Sequence, residues 1–164
     1  AVALLLYAVL LTLHALHSKQ AWLGYFAAAT ETPALTHALN YFDLDLWLPA
    51  LTLLTVLYYA AGFFFRRRMD ELRPWGNVLV NSGLTLGSLL SIVSLLSARE
   101  TSGWCIIVIA LLFAVEVFAR PFIWLELAVE VLLSMALYSI LDDFNVTYIG
   151  HFLFGASLIC LGGD

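Results

Sequence analysis

Two carboxylates lie inside one of the most apolar stretches of the chain. Glu126 and Glu130 are four residues apart in the segment 119–143, which reads ARPFIWLELAVEVLLSMALYSILDD. Side chains at this spacing share one face of an α-helix. A charged carboxylate in lipid is costly unless it is paired, neutralised or open to water. The pattern therefore predicts either a proton or cation site that uses both acids or a structural pair that another helix covers.

Further charged residues precede this pair. Glu116 comes four residues before Arg120, a spacing that favours an ion pair on one helix. If residues 103–119 and 121–141 form a hairpin, Glu116, Arg120, Glu126 and Glu130 gather in its inner half. In the transport hypothesis the two later acids bind the ion and Arg120 tunes them. In the structural alternative Arg120 neutralises one acid, and another hydrogen-bonds a neighbouring helix or a partner.

The segment 75–97 carries the most polar side chains of any apolar run. Asn81 and Thr85 lie on one polar stripe, which transport would use to line the route past Glu126 and Glu130. Gly83, Gly87 and Ser91 form a ridge of small residues, and such a ridge lets two helices approach closely. The simpler interpretation is a central packing helix, and the two interpretations are compatible.

Two histidines lie at comparable depths near the ends of apolar runs. His14 is near the end of the first run and His151 is near the start of the last. Histidines so placed are able to ligate a haem or a chlorophyll-type pigment. Interfacial histidines more often only form hydrogen bonds. We therefore expect no cofactor, and keep pigment or haem binding in an electron-transfer subunit as a third hypothesis.

The composition points to a membrane protein. The chain has 164 residues, of which 63% are hydrophobic and 12% are charged, whereas soluble domains have about 25% charged residues. The net charge of -5 argues against nucleic acid, which requires a basic surface. The sequence lacks the common catalytic and metal-binding motifs, so it favours a protein that is not an enzyme.

Six apolar segments are long enough to cross a bilayer as helices. They cover residues 1–17, 44–65, 75–97, 103–119, 121–141 and 145–162. The predicted fold is thus all-α, a polytopic transmembrane bundle of about six spans arranged as hairpins with short loops. An aromatic-rich linker, 18–43, separates the first two spans, and its residues 21–30 are predicted to form an interfacial or re-entrant helix.

Basic residues predict the orientation of these spans. Arg66, Arg67, Arg68, Arg73 and Arg120 fall on one side, whereas Lys19 and Arg99 fall on the other. The positive-inside rule then places the loop 66–73 in the cytoplasm, in a bacterial inner membrane or an equivalent. The span borders have a separate indicator, because a tryptophan comes early in four of the spans: Trp47, Trp75, Trp104 and Trp124.

A weak repeat suggests how the second half is organised. Arg73-Pro74 recurs as Arg120-Pro121, 47 residues later. This predicts two related hairpins, 73–117 and 120–164, within one integral-membrane domain, with chance similarity as the alternative. We expect the chain to be a fragment of a longer protein, because it starts with Ala and ends straight after an apolar run.

Together these features favour a structural or interaction component of a membrane. Besides the lipid bilayer, its expected partners are other membrane subunits or missing parts of the same chain, and not nucleic acid. The main alternative is a small proton- or cation-coupled transporter or channel element that uses Glu126 and Glu130.

Overall fold

A computed structural model describes residues 2–41, 46–97, 102–144 and 149–162. This part of the chain is helical and contains no strand, which confirms the predicted all-α class. The helices are α1 (Val2–Ser18), α2 (Leu23–Tyr41), α3 (Trp47–Arg68), α4 (Arg73–Ser97), α5 (Ser102–Ala119), α6 (Ile123–Asp143) and α7 (Ile149–Gly162), with a 3₁₀ turn at Asp70–Leu72 before α4.

Within these described ranges, four segments are long and apolar enough to span a membrane: Trp47–Arg68, Asp70–Leu96, Ser102–Ala119 and Ile123–Asp143. They correspond to the second to fifth predicted spans. The first predicted span is the shorter apolar helix Ala3–Ser18, and the sixth is α7, with 14 residues. The structure thus supports a helical membrane bundle with four candidate spans. The predicted borders agree well, since each of the four tryptophans lies within the first three residues of its helix.

The chain divides into two compact units, Ala1–Leu86 and Gly87–Asp164, with the boundary inside α4. In the first unit α3 and α4 are antiparallel. Gly62 of α3 lies against Gly76 and Val80 of α4, while Gly83 lies against Thr55 and Tyr59 one to two turns back along α3. We call the end of this unit where α3 ends and α4 begins the basic end, because four arginines (Arg66, Arg67, Arg68 and Arg73) lie there.

The turn between α1 and α2 also lies at the basic end. A Cβ on Gly24, at the start of α2, would be 3.0 Å from Val78 and 3.4 Å from Trp75, at the start of α4. Helix α1 ends in a Schellman motif in which the Lys19 and Gln20 amides donate to carbonyls of its last turn. Lys19 takes the left-handed conformation that this motif requires, with φ of 55°. Helix α2 therefore runs antiparallel to α3 and away from the basic end.

This arrangement corrects the prediction for residues 18–43. The segment was expected to be a linker with a short helix at 21–30, on the side opposite the loop 66–73. Instead α2 is a helix of 19 residues and Lys19 lies at the basic end. The segment is less apolar than its neighbours, but the hydroxyls of Thr30, Thr32 and Thr36 donate to carbonyls of their own helix. Their polar groups are thereby satisfied without water.

The second unit is built on an antiparallel hairpin of α5 and α6. At one end the Ser102 and Ser139 hydroxyls are 3.1 Å apart and hydrogen-bonded, and a Cβ on Gly103 would lie 2.5 Å from Ile140. Helix α7 returns along α6, where Tyr138 and Phe152 form an edge-to-face ring contact with centroids 5.8 Å apart. Small residues thus bring α5 and α6 close, as is usual where helices associate in lipid. The proposed repeat of hairpins stays a prediction.

Candidate functional site

The ion pair that the sequence predicts between Glu116 and Arg120 is present. Arg120 Nε lies 2.8 Å from Glu116 Oε1, and the side chains are 47% and 2% exposed. The pair lies at the junction of α5 and α6. Glu116 is in the last turn of α5, and Arg120 is the residue that follows this helix. An acid so deeply buried requires a cation partner, and Arg120 supplies one. The carboxylate is closed to solvent, whereas the guanidinium is about half exposed.

Glu126 and Glu130 are in different surroundings. Glu126 lies in the first turn of α6 and is exposed. Glu130, one turn later, is half-buried and lines a shallow recess of about 330 Å³ with Ser134, Tyr138 and Phe152. Within the described ranges, neither acid forms a hydrogen bond or an ion pair. The structure therefore pairs Glu116 with Arg120. Among the residues that it describes, Glu126 and Glu130 have no such partner.

The polar stripe on α4 has a local role in the first unit. Asn81 is exposed, and its amide donates to the Tyr25 hydroxyl of α2 over 3.1 Å. Thr85 is exposed. Asn81 therefore links two helices of the first unit, whereas Glu126 and Glu130 belong to the second.

The predicted ridge of small residues divides between the two units. Gly83 is the residue that approaches α3, where a Cβ would lie 3.1 Å from the Thr55 carbonyl oxygen. Gly87 and Ser91 are buried, and the Ser91 hydroxyl donates to the Gly87 carbonyl. Helices α3 and α4 also approach each other at Gly62 and Gly76, where a Cβ on Gly62 would lie 2.7 Å from the Gly76 carbonyl oxygen. The sequence did not single out these two glycines.

The two histidines are exposed and belong to different units. His14 is on α1, in the first unit, and His151 is on α7, in the second. Groups of three or more histidine, cysteine, aspartate or glutamate side chains able to hold a metal are absent from the described part of the chain. Haem or pigment ligation stays an untested hypothesis.

The sequence reading missed a carboxylate in the first unit. Glu31 of α2 is half-buried, and one of its oxygens accepts a hydrogen bond from the hydroxyl of Tyr58 on α3. Tyr58 itself is 9% exposed. The signal was weak because Glu31 occurs in the polar sequence TETP, next to Pro33, which resembles a loop.

Glu31 and Tyr58 line an apolar cavity of about 350 Å³ that is formed by α1, α2, α3 and α4. Most of the wall is aliphatic or aromatic, including Leu16, Phe65 and Trp75. The remaining polar side chain is Thr12, and its hydroxyl donates to the Ala8 carbonyl at 2.9 Å. A carboxylate held by a tyrosine inside an apolar cavity is suited to binding a ligand, because small-molecule sites combine apolar walls with a few polar groups.

No protein-family model matches the chain, and no match was found among curated proteins or solved structures. The functional proposal therefore rests on the residues of the chain and on their geometry.

Proposed function

We propose that the chain is an integral-membrane structural or interaction component, either as a subunit of a larger assembly or as the membrane part of a longer protein. In this proposal the candidate spans cross the bilayer, and α6 is the helix that meets the partner. The loop 66–73 faces the cytoplasm under the positive-inside rule, and the α1–α2 turn with Lys19 adds to the charge on that side.

The observation that carries the proposal is the incomplete cover of α6 around its two acids. In α6, 17% of the residues in the apolar 18-residue stretch are buried, whereas the corresponding fraction in α5 is 44%. Helix α6 is thus the less covered of the two, and it is the one that carries Glu126 and Glu130. Its neighbours Leu127 and Val131 are exposed. One exposed and one half-buried carboxylate on an apolar helix are unfavourable in lipid. A polar or basic group from a partner helix would relieve this cost, and the exposed apolar side chains would then pack against the same partner.

The test is the mass of the natively extracted protein in a mild detergent. The single chain has a mass of 18.2 kDa, and we expect a larger particle with defined additional subunits or a longer parent chain. Glu126→Ala/Glu130→Ala should dissociate this particle. The matched control is Asp142→Asn/Asp143→Asn, which removes two exposed acids from the other end of α6 and should leave the particle intact.

A solitary chain that conducts protons or transports a solute in liposomes would contradict this proposal and favour the second candidate. That candidate is a small proton- or cation-coupled transport element. The position of Glu130 in a recess with Ser134 supports it, because a transported ion needs a carboxylate with access to a cavity. Glu130→Gln would then abolish flux in liposomes, whereas an unchanged flux would exclude Glu130 as the ion site.

A further inference from the structure

We propose that the cavity of the first unit binds a small amphipathic organic cation, with its ammonium group at Glu31 and its apolar body between α1, α2, α3 and α4. This site is independent of α6 and of the proposed assembly. Its volume of about 350 Å³ falls within the range of roughly 300–1,000 Å³ that is common for small-molecule sites.

The unused hydrogen-bonding capacity of Glu31 defines the polar end of the ligand. Tyr58 donates to Oε2, and within the described residues Oε1 has no hydrogen-bond partner. A carboxylate oxygen is only an acceptor when the group is ionised. The open position therefore requires a donor, and a cationic donor forms the stronger bond with a carboxylate.

The walls of the cavity define the rest of the ligand. Tyr58, Phe65 and Trp75 contribute aromatic rings, and aliphatic side chains such as Leu16 and Leu79 complete the wall. Aromatic faces attract organic cations, and the aliphatic surface favours an apolar body. A metal ion is a poor fit, since a hard cation requires several oxygen ligands and this cavity offers one carboxylate. A primary ammonium group on a hydrophobic skeleton fits both the Glu31 carboxylate and the apolar wall.

The surrounding helices hold the carboxylate in place. Tyr58 fixes one oxygen, and the close approach of α3 and α4 at Gly62 and Gly76 fixes the two helices that supply Tyr58, Phe65 and Trp75 to the wall. Gly24 lets α2 approach Trp75 and Val78 of α4. Little reorganisation is needed for binding, and a preformed site loses less entropy when its ligand enters.

The test compares 4-phenylbutylamine with 4-phenylbutanol, which has the same skeleton and no charge at neutral pH. Binding to the full chain in detergent is measured by equilibrium dialysis against protein-free micelles. Because a hydrogen bond between charged groups is stronger than a neutral one, the amine should bind at least about ten-fold more tightly than the alcohol. Equal affinities in the native protein would overturn the proposal without any mutation.

Variants locate the binding. E31Q should reduce the affinity for the amine by about ten-fold or more and change that for the alcohol little. Ala28→Leu should block both probes, because Ala28 lines the cavity. Its matched control is Ala29→Leu on the exposed face of the same helix, which should bind like the native protein. Unchanged amine binding in E31Q or in Ala28→Leu would show that the amine binds elsewhere and would contradict the proposal.

The ammonium group has two natural sources, a lipid headgroup and a free amine. Phosphatidylethanolamine added to the micelles should displace the probe if the site takes a lipid headgroup, with phosphatidylcholine as the control because its headgroup has no N–H donor. Failure of phosphatidylethanolamine to displace the probe would assign the site to a free amine.

Discussion

At the residue scale, Gly62 has no space for a side chain. A Cβ there would lie 2.6 Å from the Val80 amide nitrogen and 2.7 Å from the Gly76 carbonyl oxygen, both of which are backbone atoms. A Gly155 Cβ would instead meet the end of the Leu137 side chain, which is able to rotate away. We therefore expect Gly62→Ala to reduce the free energy of unfolding by about 1–3 kcal/mol more than Gly155→Ala does.

The measurement is equilibrium unfolding of both variants in detergent micelles. Both substitutions replace a helical glycine with alanine, so the gain in helix propensity cancels in the comparison. A Gly62→Ala protein as stable as Gly155→Ala would mean that α3 and α4 are further apart than described.

The pair of Glu116 and Arg120 gives a second prediction at this scale. A double-mutant cycle with Glu116→Gln and Arg120→Gln should return a coupling energy of about 1 kcal/mol. We expect Arg120→Gln to be the more destabilising single change, because it leaves a buried carboxylate without its cation. Additive effects in the cycle would show that the pair contributes nothing to stability.

At the scale of the helices, the register of α5 and α6 is open to a direct test. The Ser102 and Ser139 hydroxyl oxygens are 3.1 Å apart, so cysteines at these positions should form a disulfide under mild oxidation. The background carries Cys105→Ala and Cys160→Ala. Trp104→Cys with Ser139→Cys is the control, since Trp104 is 63% exposed and should not react. Cleavage after Glu126 or Glu130 and non-reducing mass spectrometry would report the link, and its absence would contradict the register.

The helices also show how far the sequence alone could lead. Helices α3 to α6 were predictable because their apolar runs are long enough to span a bilayer. The tryptophan near the start of each run indicated where the helix begins. Only the first part of helix α2 was predicted, as the short helix at 21–30, because its threonines and Pro33 are typical of a loop by residue type. Within the helix the hydroxyls of Thr30, Thr32 and Thr36 are satisfied by backbone carbonyls, and packing against α1 and α3 holds the segment in place. The residue types alone indicate neither these hydrogen bonds nor this packing.

The same reason explains which site residues were found and which were not. The pairing of Glu116 with Arg120 depends on one helix and on a spacing of four, so sequence is sufficient to predict it. The contact between Glu31 and Tyr58 joins α2 to α3 across 27 residues. It depends on how the two helices pack, which no local pattern determines. Gly62 and Gly76 were missed for a similar reason, because the role of each glycine depends on the backbone of the facing helix.

At the scale of the whole molecule, the position of the α1–α2 turn distinguishes two ways in which the proposed membrane protein would cross the bilayer. In the structure Gln20 belongs to a turn at the basic end of the first unit, together with Asp70, and Leu46 precedes α3 at the opposite end. If residues 18–43 were a linker on the far side, Gln20 would instead share a side with Leu46. The two arrangements therefore differ in the side on which one residue is found.

Single cysteines at Gln20, Asp70 and Leu46, in a background without other cysteines, separate these arrangements. We expect a membrane-impermeant maleimide to label Gln20→Cys and Asp70→Cys from the same side of sealed vesicles, and Leu46→Cys from the other. By the positive-inside rule we expect the shared side to be cytoplasmic, where Lys19 would then add to the arginines of the loop 66–73. Labelling of Gln20→Cys together with Leu46→Cys would mean that α2 does not cross the bilayer. In that case the cavity at Glu31 would have to form at the interface of the membrane and not within it.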